Sequence, residues 1–418
     1  MIIMEKPLSL RKNFLWTFVG SFIASGCQWA MLMVMAKLLS ATEVGYYVLG
    51  LAITAPVILF SALDLRAVQV TDAQNLNKFE DFFGARLITN CVAILVFFGI
   101  LVCLMGRYDF SVYVIIFLIG VNKIIESTSD IAYGLMQKRE RLDKVAQSMI
   151  LRNMGALISL AVAIKLTGNL IFGIASLGIW WLLALFFFDR RNVEKFCPFV
   201  PRFNPTIMLS IIRLGLPLGI AHGIMTASSN MTRYFVEAHL GSENLAYFGA
   251  MAYAVVGASQ ATVALGQSAS PRLARYYLSN RKAYIRLLEK MLAVALVLAV
   301  GVVTFGIYLG KPFLSIVYTP KYAEQQDVFV WLLIAAGCTM LASMSGFGMT
   351  AARRFKSQVP LFIATCGVSI LACWMLIPRF GMKGAAWATL ATAIAQFLGS
   401  LLVIILALRA PVVRSNGN

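Results

Sequence analysis

Twelve apolar stretches fill this chain, and each must find a place away from water. They run over 14–36, 45–63, 87–105, 111–135, 145–165, 169–188, 214–232, 247–269, 290–309, 328–350, 359–377 and 384–408. A helix crosses the hydrocarbon core with about 20 apolar residues, and most of the stretches reach that length. Lipid offers a backbone no hydrogen-bond partners, so only helices and closed barrels span it. Barrel strands alternate apolar and polar residues over about ten positions, whereas these runs are longer and unbroken. Only 13% of the 418 residues are charged, against about 25% in soluble domains. The expected fold class is all-α: a polytopic integral membrane protein with twelve transmembrane helices. The seventh stretch is the most polar, with His222, Ser228, Ser229 and Asn230 inside it.

A net charge of +18 raises the question of nucleic acid, and the placement of the charge argues against it. With a cytoplasmic N-terminus, the inner segments hold twenty-six Lys and Arg and the outer segments eight, with Lys123 and Arg152 inside spans. That bias recurs in every pair of neighbouring loops and is the positive-inside signature. Both termini are therefore expected in the cytoplasm, with some of the basic excess drawing anionic lipid headgroups. Residues 272–290 read as a basic amphipathic helix on the membrane surface. The seven cysteines carry no C-x-x-C or metal spacing and read as free thiols. Stretch 14–36 is longer than a signal-peptide core and recurs later in the chain, so it reads as an uncleaved first helix.

The recurrence has an offset of 201 residues. Leu39-Ser40-Ala41-Thr42-Glu43-Val44-Gly45-Tyr46-Tyr47 aligns with Leu240-Gly241-Ser242-Glu243-Asn244-Leu245-Ala246-Tyr247-Phe248, and 14–36 falls on 215–237. Six helices per half make the halves run in the same direction, related by an axis along the membrane normal. Residues 1–200 and 201–418 are thus expected to form two six-helix lobes. The proline- and charge-rich segment 189–206 is the cytoplasmic linker between them.

Three motifs carry a family resemblance: the loop Leu39-Ser40-x-x-x-Val44-Gly45-Tyr46-Tyr47; Gly134-Leu135-Met136-Gln137-Lys138-Arg139-Glu140-Arg141; and Pro378-Arg379-Phe380-Gly381-Met382-Lys383-Gly384-Ala385-Ala386-Trp387-Ala388-Thr389. In order and spacing the chain resembles the polysaccharide-transporter branch of the multidrug/oligosaccharidyl-lipid/polysaccharide exporter superfamily, along its whole length. The resemblance implies a flippase of the bacterial cytoplasmic membrane. Its substrate would be a polyprenyl-diphosphate-linked oligosaccharide, moved to the outer leaflet by alternating access for O-antigen, capsule or exopolysaccharide synthesis. It also implies membrane lipids and a polysaccharide polymerase as partners, and no cofactor.

Charges within spans cost at least about 2.5–3.5 kcal/mol each, so each needs a reason. Lys123 lies near the midplane of the fourth span, with Glu126 and Asp130 following on the same helix face. Folding the fifth span back near residue 140 sets Arg152 level with residue 128, between the two acids. These four charges sum to zero. One reading is a self-neutralising network pinning two helices. The other places Lys123 and Arg152 on the diphosphate, with Glu126 and Asp130 releasing them or carrying a coupling proton. Arg66 and Arg213, at the cytoplasmic ends of the second and seventh spans, read as snorkelling anchors or as a cationic mouth. Arg233 reads as an outer anchor or a release-side contact. His222 and the Asn and Gln residues within spans bond helix to helix or meet sugar hydroxyls. Trp29, Trp180, Trp181 and Trp387 read as packing residues or sugar platforms.

Other functions fit less well. A cation-coupled multidrug exporter of the same superfamily is the alternative, but those usually place an acid in the first span and 14–36 holds none. A lipid II flippase usually carries extra helices and arginines in its first two spans. An enzyme would need a nucleophile–base pair, a metal cluster or a phosphate-binding glycine loop, and no such constellation is present.

Overall fold

The computed structural model describes residues 8–72, 77–352 and 355–409, and among these every regular element is helical. The chain divides into two compact units, Met1–Ala227 and Ser228–Asn418. Nine helices among the described residues are long and apolar enough to cross a membrane. The protein is a multi-pass membrane protein. Its surface is the inverse of a soluble one: Leu95 and Val297 are each 71% exposed, as lipid-facing side chains must be.

The first unit opens with α1 (Leu10–Leu38) and α2 (Ala41–Ala62). The Leu39–Tyr47 motif is the junction between them. Ser40 caps α2 by accepting from the Glu43 amide, while the Glu43 carboxylate accepts from the Ser40 amide at 3.1 Å. α2 ends at two left-handed residues, Leu63 (φ 51°) and Asp64 (φ 46°). They re-aim the chain into the short α3 (Leu65–Thr71). Then come α4 (Phe79–Cys103), α5 (Phe110–Lys138) and α6 (Leu142–Thr167). α7 (Leu170–Ala184) widens into a π-turn at Leu185–Asp189 before the one-turn α8 (Arg190–Glu194). The core at the end of α5 joins Leu65, Phe82, Ile131, Met136, Val193 and Ile211. Segment 198–204 is docked rather than loose. The Arg202 amide donates to the Glu80 carbonyl at 2.9 Å, and a Cβ on Gly84 would strike the Arg202 carbonyl.

Asn122, Asn90 and Asn153 do bond helix to helix or to their own turn. Asn122 donates to the Ile174 carbonyl at 3.0 Å, Asn90 to Thr128 at 3.1 Å and Asn153 to the Met149 carbonyl at 2.8 Å. The His222, Gln260 and Gln267 side chains lie outside the described residues.

The second unit begins within α9 (Pro205–Ser279), which is two helices meeting at Gly241 (φ 82°). α10 (Arg281–Val317) follows after Asn280, whose side chain caps it by accepting from the Ala283 amide at 3.0 Å. The expected single amphipathic helix over 272–290 is thereby corrected: the extended backbone at Asn280 (φ −154°, ψ 94°) splits it. After the one-turn α11 (Pro320–Ala323) come α12 (Gln326–Ala351) and α13 (Phe355–Arg409). At ~1.5 Å per residue, the 55 residues of α13 far exceed one bilayer. It is two helices meeting at Gly381 (φ 56°), where any other residue would be strained. Three buried tyrosines tie this unit together: Tyr284 to the Gly348 carbonyl at 3.0 Å, Tyr277 to Ala407 at 3.1 Å and Tyr318 to Ala250 at 2.9 Å.

Candidate functional site

α5 is the axis of the site. Its i, i+3 and i+7 positions bring Lys123, Glu126 and Asp130 to one face, and all three line a cavity of about 800 Å³ within the first unit. α2 and α3 supply the facing wall, including Ala55, Asp64 and Arg66. Arg66 reaches this wall because of the left-handed break at Leu63 and Asp64. A straight continuation of α2 would aim it elsewhere. Gly134 makes room on the same face for the Gln69 side chain of α3, whose amide end a Cβ there would strike. Gln137, from the same motif, accepts from Arg66 Nε at 2.9 Å.

The charges fall into two groups one helical turn apart. Glu126 accepts from Lys123 Nζ at 2.8 Å through one oxygen and from Arg152 Nη2 at 3.0 Å through the other. Asp130 accepts from Arg66 Nη1 at 3.0 Å and lies 3.7 Å from Arg86 Nη2. The expected approach of Arg152 to the Glu126–Asp130 face is thus realised at Glu126. Asp130 turns instead to two arginines from α3 and α4. Arg66 is thereby a member of the cluster.

Aromatic rings complete the cluster. The Arg152 guanidinium sits over Trp181 at 5.0 Å and over Tyr133 at 5.7 Å. Lys123 sits over the Trp181 ring at 6.0 Å, and Arg66 over Tyr133 at 5.8 Å. Desolvated cation–π contacts contribute about 2 kcal/mol, so the rings help to keep cations in a place where burial disfavours them. Trp181 is therefore a platform for cations. Trp180 donates to the Leu151 carbonyl at 3.0 Å, and Trp387 packs on Trp331 and Phe380.

Two buried groups escape a reading of the sequence. Arg86 lies among residues taken for a cytoplasmic loop, yet its side chain is fully buried in α4. Asp189 opens the expected linker, yet the π-turn directs it inward, fully buried. There it accepts from Ser148 at 2.5 Å, and the Ser148 and Tyr133 hydroxyls share a hydrogen bond of 2.8 Å. The signal for Arg86 was available: it precedes an apolar run by no polar spacer and follows Phe82-Phe83-Gly84-Ala85. Nothing in the sequence marks a π-turn at 185–189.

The remaining expected residues lie elsewhere. Arg213 is exposed in a separate groove of about 650 Å³ with Pro205, Thr206, Leu209, Ser210 and Leu214. Arg233, in the second unit, donates to Asn230 at 2.6 Å and sits over Tyr253 at 5.3 Å. Among the described residues no cluster of His, Cys, Asp and Glu is arranged to hold a metal.

A family model described as polysaccharide biosynthesis protein matches residues 10–277. The capsular polysaccharide biosynthesis protein CapF of Staphylococcus aureus is 26% identical over 392 residues, covering 93% of this chain and 96% of that protein. The lipid II flippase MurJ, in an inward closed conformation, superposes with a TM-score of 0.73 at 13% identity, over 94% of this chain and 87% of MurJ. An inward-facing multidrug resistance MATE family transporter of the MOP superfamily superposes with a TM-score of 0.67 at 13% identity, over 97% and 95% of the two chains. At such identities the structural likeness is one of fold. The sequence match extends over well more than half of the chain, and the chain belongs to the polysaccharide biosynthesis protein family.

Proposed function

We propose that this protein is a flippase for lipid-linked oligosaccharide, carrying polyprenyl-diphosphate-linked repeat units from the cytoplasmic to the outer leaflet. The observation that carries the reading is the cavity at α5, where Lys123 and Arg66 stand on a wall built from helices long and apolar enough to cross a membrane. A diphosphate carries two or more negative charges, and Arg can grip its oxygens in pairs. The two cations share the wall with Asp64, Glu126 and Asp130, and once freed from those acids they suit the phosphate end of such a substrate, with the lipid tail left in the bilayer. Lys123 and Arg66 bind the diphosphate, while Arg152, expected on the diphosphate with Lys123, is buried off the cavity wall and stands behind them. Arg213 and Arg233 are a cytoplasmic approach contact and a release-side contact. Residues 1–200 and 201–418 act as the two six-helix lobes of an alternating-access transporter, with twelve spans and both termini in the cytoplasm of a bacterial inner membrane. The product feeds a surface polysaccharide, and a polymerase is its natural successor. The protein is a transporter and not an enzyme.

One observation favours a second reading. Asp64, Glu126 and Asp130 line the same cavity, and acids are what a cation-coupled exporter of organic cations needs. The sidedness of polyprenyl-diphosphate-linked glycan separates the two. In cells lacking the protein, glycan should accumulate on the cytoplasmic face and surface polysaccharide should be lost. Unchanged sidedness, with reduced efflux of organic cations, would establish the exporter instead.

A further inference from the structure

The two acids of α5 occupy equivalent positions between a cation on the cavity wall and an arginine behind it. Lys123 and Arg66 are the outer partners, with side chains 25% and 30% exposed. Arg152 and Arg86 are the inner partners, at 5% and 0%. Neither inner arginine lines the cavity. Among the described residues both keep guanidinium nitrogens without a hydrogen bond: Nε and Nη1 of Arg152, and Nε, Nη1 and Nη2 of Arg86. Glu126 and Asp130 are four residues apart, so the same arrangement occurs twice along one helix face.

We infer that the paired acids are handed between the two layers: when an anionic diphosphate takes Lys123 and Arg66, Glu126 and Asp130 pass to Arg152 and Arg86. This rests on the reading of the cavity as a diphosphate site. The physical need is plain. A multivalent phosphate draws a cation more strongly than a single carboxylate does. The displaced carboxylate, partly exposed on the cavity wall (27% for Glu126, 35% for Asp130), then faces the incoming anion without its counter-charge, and that repulsion is a penalty. A second cation within reach removes that penalty. Asp130 has the room to make the move, because its 3.7 Å separation from Arg86 is too long for a hydrogen bond. Glu126 already bonds Arg152 at 3.0 Å and has only to release Lys123. The inner arginines are thus positioning residues that set how easily the outer cations are freed. Two such units present two cations, matched to a diphosphate rather than a monophosphate.

The test uses the full-length protein in lipid nanodiscs, with farnesyl diphosphate and farnesyl monophosphate as probes and calorimetry as the readout. Lys123→Ala and Arg66→Ala should each weaken diphosphate binding about tenfold or more, a change of roughly 1.4 kcal/mol. If neither does, the diphosphate site itself is wrong. Given that loss, Asp130→Asn and Glu126→Gln should tighten binding, because the outer cations no longer have a charged competitor. Arg86→Gln should weaken binding about fivefold, and this loss should vanish in the Asp130→Asn background. A purely structural Arg86 would not couple to Asp130 in that way. The handover is overturned if both amide variants bind no tighter than wild type, or if the Arg86→Gln loss persists undiminished alongside Asp130→Asn. Where Arg86→Gln yields no folded protein, the two amide variants decide the matter alone. Wild-type protein gives a further check: farnesyl diphosphate should change the carboxylate-stretch region of the infrared difference spectrum. A silent spectrum on saturating ligand would reject the handover.

Discussion

Lys123 and Arg152 share the Glu126 carboxylate but answer to different surroundings. Lys123 is on the cavity wall, and its loss exposes Glu126 to a space that solvent or ligand can fill. Arg152 is buried between Trp181 and Tyr133, and its loss leaves Glu126 half-compensated beside a cavity of guanidinium size. Removing one partner of a buried ion pair costs about 3–5 kcal/mol. Arg152→Ala should therefore lower unfolding stability by that order in a detergent denaturation experiment. Lys123→Ala should leave the protein folded and remove export. Equal, small stability losses from both would count against the layered cluster. A second residue-scale prediction concerns Cys197, outside the membrane-spanning segments. Burial, reinforced by the nearby Glu80 carboxylate, pushes its thiol up to about 12. The thiolate is the reactive form. Maleimide labelling of Cys197 at pH 8 should run at least about a hundredfold slower than that of a free thiol, and should rise steeply as pH increases.

At the scale of elements, the site depends on two departures from regular helix and one close contact. The left-handed pair Leu63 and Asp64 turns Arg66 onto α5. Gly134 leaves room for the Gln69 amide, and the π-turn at Leu185–Asp189 turns an acid inward. Each is invisible to hydropathy, which reads length and composition and not the direction a helix end takes. Close approach also holds the segment after α8. Gly84 faces the Arg202 backbone, which cannot swing aside as a side-chain tip can. Gly84→Val should undock residues 198–204 at about 1–3 kcal/mol, as overpacking does. Limited proteolysis should then cut near Arg202 faster than in wild type, and an unchanged rate would mean the strap is not held at Gly84. The same logic explains the last motif. Gly381 takes a left-handed backbone, and a Cβ on Gly384 would strike the Leu376 carbonyl, so both glycines serve the sharp reversal inside α13.

For the whole molecule, topology is the open quantity with the sharpest test. The distribution of Lys and Arg predicts position 195 in the cytoplasm and position 311 outside. In a cysteine-free background, Lys195→Cys should be blocked only by membrane-permeant reagent in intact cells, and Lys311→Cys by impermeant reagent as well. The reverse pattern would invert the membrane orientation and with it the direction of transport. The sequence by itself determined that the chain lives in lipid, that its described regular elements are helices, that α5 carries three charges on one face and that Arg152 lies level with them. These follow from hydrophobic length and the 3.6-residue period, which are local properties. Its motifs also pointed to the polysaccharide family. Only the tertiary structure decided that Asp130 pairs with Arg66 and Arg86, that Asp189 is buried and that Arg213 stands apart. The partner of a buried charge depends on which helices pack together and how their ends are bent. In this chain, those bends are set by a few left-handed residues and one π-turn rather than by any periodic pattern.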